Sequence, residues 1–474
     1  MQDSTFKIYN ASAGSGKTHT LTKEYLKIVL SSSNRFSKIL AITFTNKAVN
    51  EMKHRILDSL FKFSQVNSEV EAPPLFLDLM KDLGVDSDTL RKRSKQTLKE
   101  ILHNYAFFDI STIDKFTHRL IRTFAKDLKL PQNFEVVLDT DLLLDEAVAK
   151  LVHKAGTDKQ LTQVLLEFAL EKIDDDKSWD IAYDLGNIGK LLFRENHVEH
   201  LQNLKDKNIG DFVELKKTLR SRIKAIQESI VGFATLGLQL IEQNGLEFKD
   251  FRAGYFPKFM DKIASGDLGM DFKAGWKQRF DDPTELYNKS TPDATKATID
   301  DLHPQFSEIF FKIKHTFYEL AFLKNAYANL VPLTVLNAIQ KEVKNLQNER
   351  DQLSIAEFNT IISKEIKNQP APFIYERLGE KYRHYFVDEF QDTSTLQWNN
   401  LIPLIGHALE GEDLQGNTGS LFLVGDAKQA IYRWRGGRAE QFLDLVNETT
   451  SPFAIPAQTE SLPTNWRSYD EVIK

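Results

Sequence analysis

The most informative stretch of the sequence is Tyr9–Thr18, YNASAGSGKT, which has the composition of a phosphate-binding loop. It follows a short apolar run at Phe6 and Ile8 and precedes LTKEYLKIVL, which predicts the order strand, turn, helix. The glycines let successive backbone N–H groups point at phosphate oxygens, Lys17 supplies a charge for the β- and γ-phosphates, and the Thr18 hydroxyl can bind Mg²⁺. We therefore predict a nucleotide site formed by Ala11, Ser12, Ala13, Gly14, Ser15, Gly16, Lys17, Thr18 and His19.

A pair of acids near the other end of the chain supplies the second half of this chemistry. Asp388 and Glu389 follow the apolar run His384–Val387, and so stand at the end of a predicted strand. Asp388 is predicted to hold Mg²⁺, and Glu389 to polarise the water that attacks the γ-phosphate. Gln391 and Asp392, just beyond, are placed to relay the presence of that phosphate.

The distance between these motifs predicts the domain organisation. Lys17 and Asp388 must meet around one Mg²⁺, so the helical pattern between them has to be an insertion that leaves a parallel α/β sheet near Leu128 and rejoins it before Phe386. We predict the first part of a motor domain over 1–127, a helical insertion over 128–350, the second part of the motor domain over 351–458, and the start of another domain over 459–474.

The stretch GDAKQAIYRWRGG carries an amide close to an aromatic and guanidinium cluster. Gln429 is placed to sense phosphate, and Tyr432 and Trp434 can stack on nucleobases, a contact worth roughly 1–3 kcal/mol per base. The alternative is an amphipathic helix with a buried tryptophan. Further along, Arg467 is a candidate for reaching a γ-phosphate across a domain cleft.

Two other predicted strands end in polar and aromatic residues. KILAITFT runs into a helix at Asn46, and FFDISTI runs into a helix at Asp114. Because ligands gather at the carboxyl ends of parallel strands, these junctions are candidate substrate contacts, whereas helix caps and buried phenylalanines are the alternative. The candidate contacts are Thr43, Phe44, Asn46, Thr112, Phe116 and His118.

Composition narrows the class of protein. The 474 residues carry a net charge of -6, with 41% hydrophobic and 27% charged residues and no cysteine. This excludes a disulfide framework and a thiolate metal site, and the absence of long apolar runs predicts a cytoplasmic protein with no membrane contact. A nucleic-acid role would need local basic surfaces, such as Arg91–His103, whose cations are otherwise those of a solvated helix.

Taken together, the motifs resemble the superfamily-1 DNA helicases of the UvrD/Rep type, in particular the RecB/AddA-like helicase–nuclease branch. The resemblance rests on ASAGSGKT, AITFTNKAVNEMKHRI, ISTIDKFTHRLI, FVDEFQDTS, FLVGDAKQAIYRWRGG and LPTNWRS, which occur in family order. It implies a RecA-like sheet with an accessory helical domain, use of ATP and Mg²⁺, and 3′→5′ translocation along single-stranded DNA with duplex unwinding in break repair.

The resemblance also implies residue roles and partners. Lys17 and Thr18 would bind phosphate and Mg²⁺, Asp388 and Glu389 would serve Mg²⁺ and water, and Gln429 and Arg467 would sense the γ-phosphate. The strand-end residues given above, with Tyr432 and Trp434, lie where family members contact DNA. A second helicase–nuclease subunit is an expected partner.

Two departures from the family pattern bear on these expectations. The adenine-reading glutamine usually lies upstream of the phosphate loop, and Gln2 is the sole candidate here. The sequence also lacks the family's last two motifs and a RecB-type nuclease motif, so we expect an N-terminal part of a longer helicase–nuclease. A non-catalytic nucleic-acid-binding or scaffold subunit with a relic fold is the main alternative, and a small-molecule phosphotransferase is a third.

Overall fold

The structure is a computed structural model. It describes residues 5–32, 35–137, 139–174, 180–204, 206–368, 378, 381–413, 416–462 and 464–468. The strands in these ranges are β1 (Phe6–Asn10), β2 (Ile39–Thr43), β3 (Asp109–Thr112), β4 (Glu135–Val137), β5 (Gln352–Ser354), β6 (His384–Val387), β7 (Ser420–Gly425) and β8 (Gln458–Ser461).

Six of these strands form one parallel sheet with the order β3-β2-β6-β7-β1-β8. The phosphate loop follows β1 and the acidic pair follows β6, so β7 alone separates them. In a parallel sheet the carboxyl ends of all strands share one edge. The topology therefore brings the two motifs to the same edge, and the predicted α/β parallel sheet is confirmed.

Both faces of this sheet are buried, as expected for near-continuous apolar strands. Alternate residues point to opposite faces. Ile8 and Leu423 belong to the core on one face, and Tyr9 and Val424 to the core on the other. The helices that supply the two covering layers are thereby held against a rigid sheet.

The helices cover the sheet and build most of the chain between β4 and β5. Their bounds are α1 (Lys17–Ser31), α2 (Asn46–Ser64), α3 (Pro74–Leu83), α4 (Ser87–His103), α5 (Ile113–Thr123), α6 (Thr140–His153), α7 (Lys159–Asp174), α8 (Ile181–Gly189), α9 (Val198–Gln202), α10 (Ile209–Gln243), α11 (Tyr255–Ala264), α12 (Gly275–Gln278), α13 (Asp293–Ala328), α14 (Leu330–Glu349), α15 (Ile355–Asn368), α16 (Thr395–Glu410) and α17 (Ala439–Val446). No helix within the described ranges is long and apolar enough to cross a membrane.

The chain divides into two compact units. The first contains the six-stranded sheet and comprises residues 1–143, 190–202 and 344–474; the second comprises 144–189 and 203–343. In the second unit, α10 packs with α11 and α13 around an aromatic core in which Phe280 and Phe310 stack at 4.0 Å. This unit is the predicted mostly helical insertion.

Several sequence-based boundaries need correction. The predicted start of the insertion at 128 places β4 inside it, whereas β4 pairs in parallel with β5 within the first unit, and residues 190–202 also belong to that unit. The boundary before 459 falls inside β8, which pairs with β1 and so extends the first sheet.

Two helix caps also differ from the prediction. The Thr45 side chain caps α2 by accepting the Ala48 N–H at 3.1 Å, so Asn46 is the first helical residue and not the cap. Thr112 caps α5 by accepting the Lys115 N–H, which leaves Asp114 in the first turn. A threonine one or two residues earlier competes successfully because its extended backbone aims the hydroxyl at the free N–H groups.

Replacement of Phe386 by Ala is expected to destabilise the first unit by about 3–5 kcal/mol, the usual cost of removing a buried phenylalanine. Its ring is buried on β6, stacked on Phe422 at 4.6 Å and against Tyr25 at 5.6 Å. Urea unfolding followed by circular dichroism measures the change. Phe61→Ala is the matched control, because that ring is exposed and its loss should change stability by less than about 0.5 kcal/mol.

Candidate nucleotide-binding site

The phosphate loop connects β1 directly to α1. Its backbone bends at Gly14 and Gly16, whose φ angles of 79° and 92° lie in the left-handed region that favours glycine. The loop is anchored below by the Ala11 N–H, which donates to the Gly425 carbonyl at 3.0 Å. Ala11 is buried, which is why only a small residue is accommodated there. The loop is thus a rigid turn between a central strand and a helix N-terminus, the arrangement that binds phosphate.

Lys17 lies beside the acidic pair, and the acid that it contacts is Glu389. The Lys17 Nζ donates to Glu389 Oε2 at 3.0 Å, although the residues lie 372 positions apart. Glu389 adopts a left-handed backbone with φ 51°, a conformation that costs a non-glycine residue roughly 1–3 kcal/mol. Strain of this kind is retained where surrounding contacts hold a side chain in a required place.

Asp388 is the most strongly perturbed acid of the site. Burial, and then the neighbouring Glu389 charge, raise the pKa of Asp388 to about 7, against the opposing effects of Lys17 and the Glu389 N–H. That N–H donates to Asp388 Oδ1 at 3.0 Å. A buried carboxylate whose charge is poorly compensated fits a divalent cation, and Mg²⁺ prefers oxygen ligands such as Asp388 and the Thr18 hydroxyl.

A chain of hydrogen bonds extends from the acidic pair to the end of β7. Gln391 is only 1% exposed; its Nε2 donates to Glu389 Oε2 at 2.8 Å, and its Oε1 accepts the Asp426 N–H at 2.9 Å. Asp426 Oδ2 in turn accepts from Gln429 Nε2 at 2.5 Å. The predicted phosphate sensor Gln429 is therefore connected to the predicted water-polarising Glu389 through Asp426 and Gln391.

A cavity of 440 Å³ opens between these elements. Its walls are provided by the phosphate loop, α1, α2, the acidic pair, Gln429 and the segment near Arg467. The lining residues are Ala13, Gly14, Gly16, Lys17, Thr18, His19, Ala48, Glu51, Arg55, Asp388, Glu389, Gln429, Trp466 and Arg467. Every residue predicted to be catalytic thus lines one cavity.

Sequence reasoning missed Trp466 as a member of this site. The backbone N–H of Trp466 donates to the Gly14 carbonyl at 2.8 Å, and Asn465 Nδ2 donates to the Ala13 carbonyl at 3.1 Å. This segment therefore lies directly on the phosphate loop. The indole is 79% exposed and lines the cavity. An exposed aromatic next to the predicted Arg467 was the available signal.

Arg55 and Glu51 on α2 also line the cavity and were not predicted. They lie one helical turn apart, a spacing that places both on one face of α2. Burial is the main cause that lowers the pKa of His19, and Arg55 and Lys23 lower it further against the opposing effect of Asp78. His19 is thus held towards its neutral form at the cavity wall.

A second surface, formed by aromatic rings, lies at the carboxyl ends of β2 and β7. We call Phe44, Tyr432 and Trp434 the aromatic surface: the Phe44 and Tyr432 ring centroids are 4.3 Å apart, and those of Tyr432 and Trp434 6.3 Å. Trp434 is 70% exposed, in a short 3-10 turn, so the alternative of a buried tryptophan on an amphipathic helix is wrong. Arg435 lies 5.5 Å from its ring centroid.

Other predicted contacts are not available at the surface. Phe116 is only 4% exposed and packs against Tyr382, so its ring belongs to the core and we remove it from the predicted DNA contacts. Thr43 and Thr112 are also buried. His118 stacks on Phe358 at 5.6 Å, and its pKa is lowered by burial and then by Arg122. Asn46 is exposed at the start of α2.

The fold and the cavity define a phosphate-loop α/β protein whose acidic pair faces the loop lysine. The UvrD/REP helicase N-terminal domain matches residues 3–450 of this chain. The chain therefore belongs to the UvrD/REP helicase family.

Three individual proteins are similar to this chain over nearly its whole length. An ATP-dependent helicase/nuclease subunit of Clostridium novyi is 24% identical over 98% of this chain and 37% of that protein, and its namesake in Clostridium kluyveri is 26% identical over the same shares. The RecBCD enzyme subunit RecB of Chlamydia trachomatis is 24% identical over 98% of this chain and 41% of that protein. The chain spans well under half the length of these relatives.

Replacement of Asp388 by Asn is expected to stabilise the metal-free protein at pH 8. The folded pKa of about 7 lies above the ordinary 3.8, so the folded protein keeps a proton that the unfolded chain releases, and wild type loses stability as the pH rises from about 4 to 7. Asparagine has no proton to lose. The gain in thermal midpoint should therefore grow across this interval and level off above pH 7.

Excess Mg²⁺ is the control for this measurement. It should stabilise the wild type and leave the variant unchanged, so the gain at pH 8 should shrink. A gain that stays constant from pH 4 to 8 would show that another group carries the shifted proton.

Proposed function

We propose that this chain is the N-terminal motor part of an ATP-dependent DNA helicase of the RecB/AddA type, which binds ATP with Mg²⁺ and single-stranded DNA. The relatives named above, two ATP-dependent helicase/nuclease subunits and the RecB subunit of a RecBCD enzyme, support this branch of the family. Translocation in the 3′→5′ direction, a role in DNA break repair and a partner in the form of a second helicase–nuclease subunit belong to the same proposal.

The observation that carries the proposal is the hydrogen-bond chain from Glu389 in the cavity to Gln429, which lies three residues before Tyr432 of the aromatic surface. Lys17 and Gln391 both donate hydrogen bonds to Glu389 Oε2, and Gln391 Oε1 accepts one from the backbone N–H of Asp426. Gln429 and Tyr432 follow within six residues of Asp426. In this proposal a nucleotide that draws Lys17 to its phosphates removes the cation paired with Glu389, and the resulting movement passes through Gln391 to the turn that carries Tyr432 and Trp434.

In this proposal each group has one task. Lys17 and the loop N–H groups bind the β- and γ-phosphates, Thr18 and Asp388 hold Mg²⁺, and Glu389 orients the attacking water. Gln429 and Arg467 contact the γ-phosphate. Phe44, Tyr432 and Trp434 stack on bases, which is indifferent to base sequence and suits a protein that moves along a strand.

Trp466 provides a base platform within the nucleotide cavity. Its exposed indole lies beside Gly16, where an added Cβ would be 3.5 Å from the ring, so a nucleotide bound to the loop would have an aromatic face within reach. We assign to Trp466 the role of stacking on the base of ATP. Gln2, the sole candidate for the family's adenine-reading glutamine, lies outside the described residues. Stacking on Trp466 accepts any purine, so the proposal includes weak discrimination between ATP and GTP.

Lys17→Ala is expected to lose ATP binding and to retain binding of oligo-dT, because the ammonium contacts phosphates of the nucleotide only. Fluorescence anisotropy with a labelled ATP analogue and with labelled oligo-dT measures the two affinities. Lys81→Ala is the matched control, since it removes an equal charge from an exposed position on α3. Wild-type protein that binds oligo-dT but no ATP would favour a non-catalytic nucleic-acid-binding subunit.

Each of the two exposed tryptophans, Trp434 and Trp466, is expected to contribute to the binding of one ligand only. Trp434→Ala should weaken oligo-dT binding at least about five-fold, the equivalent of roughly 1 kcal/mol of stacking, and leave ATP binding unchanged. Trp466→Ala should weaken ATP binding and leave oligo-dT binding unchanged. Each variant is the control for the other, and equal losses of both ligands in one variant would contradict the assignment.

A further inference from the structure

A group of cations and aromatic rings surrounds β3, the strand at one edge of the six-stranded sheet, whose own residues are all buried. This strand lies at one end of the strand order, whereas the phosphate loop follows β1 in the other half of the sheet. We call this group the edge patch; its members are Lys53, Tyr105, Phe107, Lys115, Arg119 and Lys381. None of them lines the nucleotide cavity.

Asp109, the first residue of β3, is the carboxylate around which these cations gather. Its Oδ1 pairs with Arg119 Nη2 at 2.8 Å. Its Oδ2 accepts the Tyr382 hydroxyl and lies 3.8 Å from Lys381 Nζ. Because both oxygens of this buried carboxylate are engaged, little of its charge remains to compensate the other lysines.

Lys53 and Lys381 are partly buried and lie among other cations. Burial is the main cause that lowers the pKa of Lys53; Asp109 opposes it, while Lys115 and Arg119 lower the pKa further. The pKa of Lys381 is lowered by burial and by Arg119, again against Asp109. An anion placed here would relieve this repulsion.

The cations reach the edge from both covering layers. Lys53 lies on α2, whose apolar residues belong to one core, and Lys115 and Arg119 lie on α5, whose apolar residues belong to the other. Arg119 and Lys381 keep 45% and 40% of their side chains exposed while they pair with Asp109. The patch is therefore a line of accessible charge along an edge strand and not a set of buried ion pairs.

Two aromatic rings lie among these cations and are about half exposed. The Lys53 Nζ is 5.1 Å from the centroid of the Tyr105 ring. Phe107 and Lys381 line a cavity of 460 Å³ together with Lys38 and Asn104. Cations interleaved with exposed rings are typical of surfaces that bind single-stranded nucleic acid, where phosphates meet the charges and bases stack on the rings. An acidic peptide would use the charges but not the rings.

The edge patch adjoins the aromatic surface. Thr43, which precedes Phe44, pairs with Thr112 across β2 and β3, and Lys115 follows Thr112 by three residues. We infer that the edge patch is a second contact for a single-stranded nucleic acid, which continues from the aromatic surface over the end of β3 and across the exposed cations and rings around that strand. This inference rests on the proposed function of the aromatic surface.

The test compares oligo-dT of two lengths. A strand of about 8 nucleotides is long enough for the aromatic surface alone, and one of about 30 nucleotides reaches the edge patch as well. The variant Lys53→Gln/Lys381→Gln should bind the long strand more weakly and the short strand as the wild type does. Its plot of log affinity against log salt for the long strand should be shallower by about 1.4, since each lost phosphate contact on a single strand removes about 0.7.

Two further variants separate these contacts from effects of charge and folding. Lys62→Gln/Lys81→Gln removes the same charge from exposed positions on α2 and α3 and should leave both affinities unchanged. Tyr105→Ala should weaken binding of the long strand at least about five-fold, and Tyr105→Phe should retain it. Because the Tyr105 ring is half exposed, this pair decides the question even if the double lysine variant does not fold.

Unchanged affinity and salt dependence of the long strand in the folded variants would overturn the inference. Failure of the wild type to bind the short strand would instead contradict the proposed function. Polyglutamate is the third probe: if it binds the wild type and loses its affinity in the double lysine variant while the long strand does not, the patch binds an acidic protein and the inference is wrong.

Discussion

The ion pair between Lys17 and Glu389 is the constraint on which the rest of the structure depends. Its two partners lie at the ends of strands separated only by β7, but nearly the whole chain runs between them. A parallel sheet can bring them together only if the intervening chain leaves the sheet and returns in register. The pairing of β4 with β5 does this, because it joins the outgoing and returning chain side by side in the unit that holds the sheet.

The same ion pair explains why Gln391 is buried beside the acids. Glu389 is held by both Lys17 and Gln391; if Lys17 turned to the phosphates of a nucleotide, as the proposed function requires, Gln391 would still hold the carboxylate. The amide can do this in one orientation only, since its oxygen accepts the Asp426 N–H. The left-handed backbone of Glu389 is the cost of this arrangement, and its neighbours hold it in place.

Burial separates residues that look equivalent in the sequence. Phe116 and Trp434 are both aromatic residues that follow predicted strands. Phe116 lies on α5 and is buried against Tyr382, whereas Trp434 projects from a turn too short to bury it. Tyr105 and Phe107 show the reverse case: they stand before a strand, in a region with no recognised motif, and yet remain exposed among cations. Exposure, and not residue type, decides which rings are available to a ligand.

The sequence by itself determined the phosphate loop, the acidic pair, the parallel α/β class and the existence of a helical insertion, because each depends on local spacing or on a meeting that the chemistry demands. Only the tertiary structure decided that Trp466 lines the nucleotide cavity, that residues 190–202 belong with the sheet, and that β8 extends it. It also decided that cations from both layers gather at Asp109. The physical reason is that these features arise from contacts between residues far apart in the chain, and periodicity and motif spacing report only what neighbouring residues do.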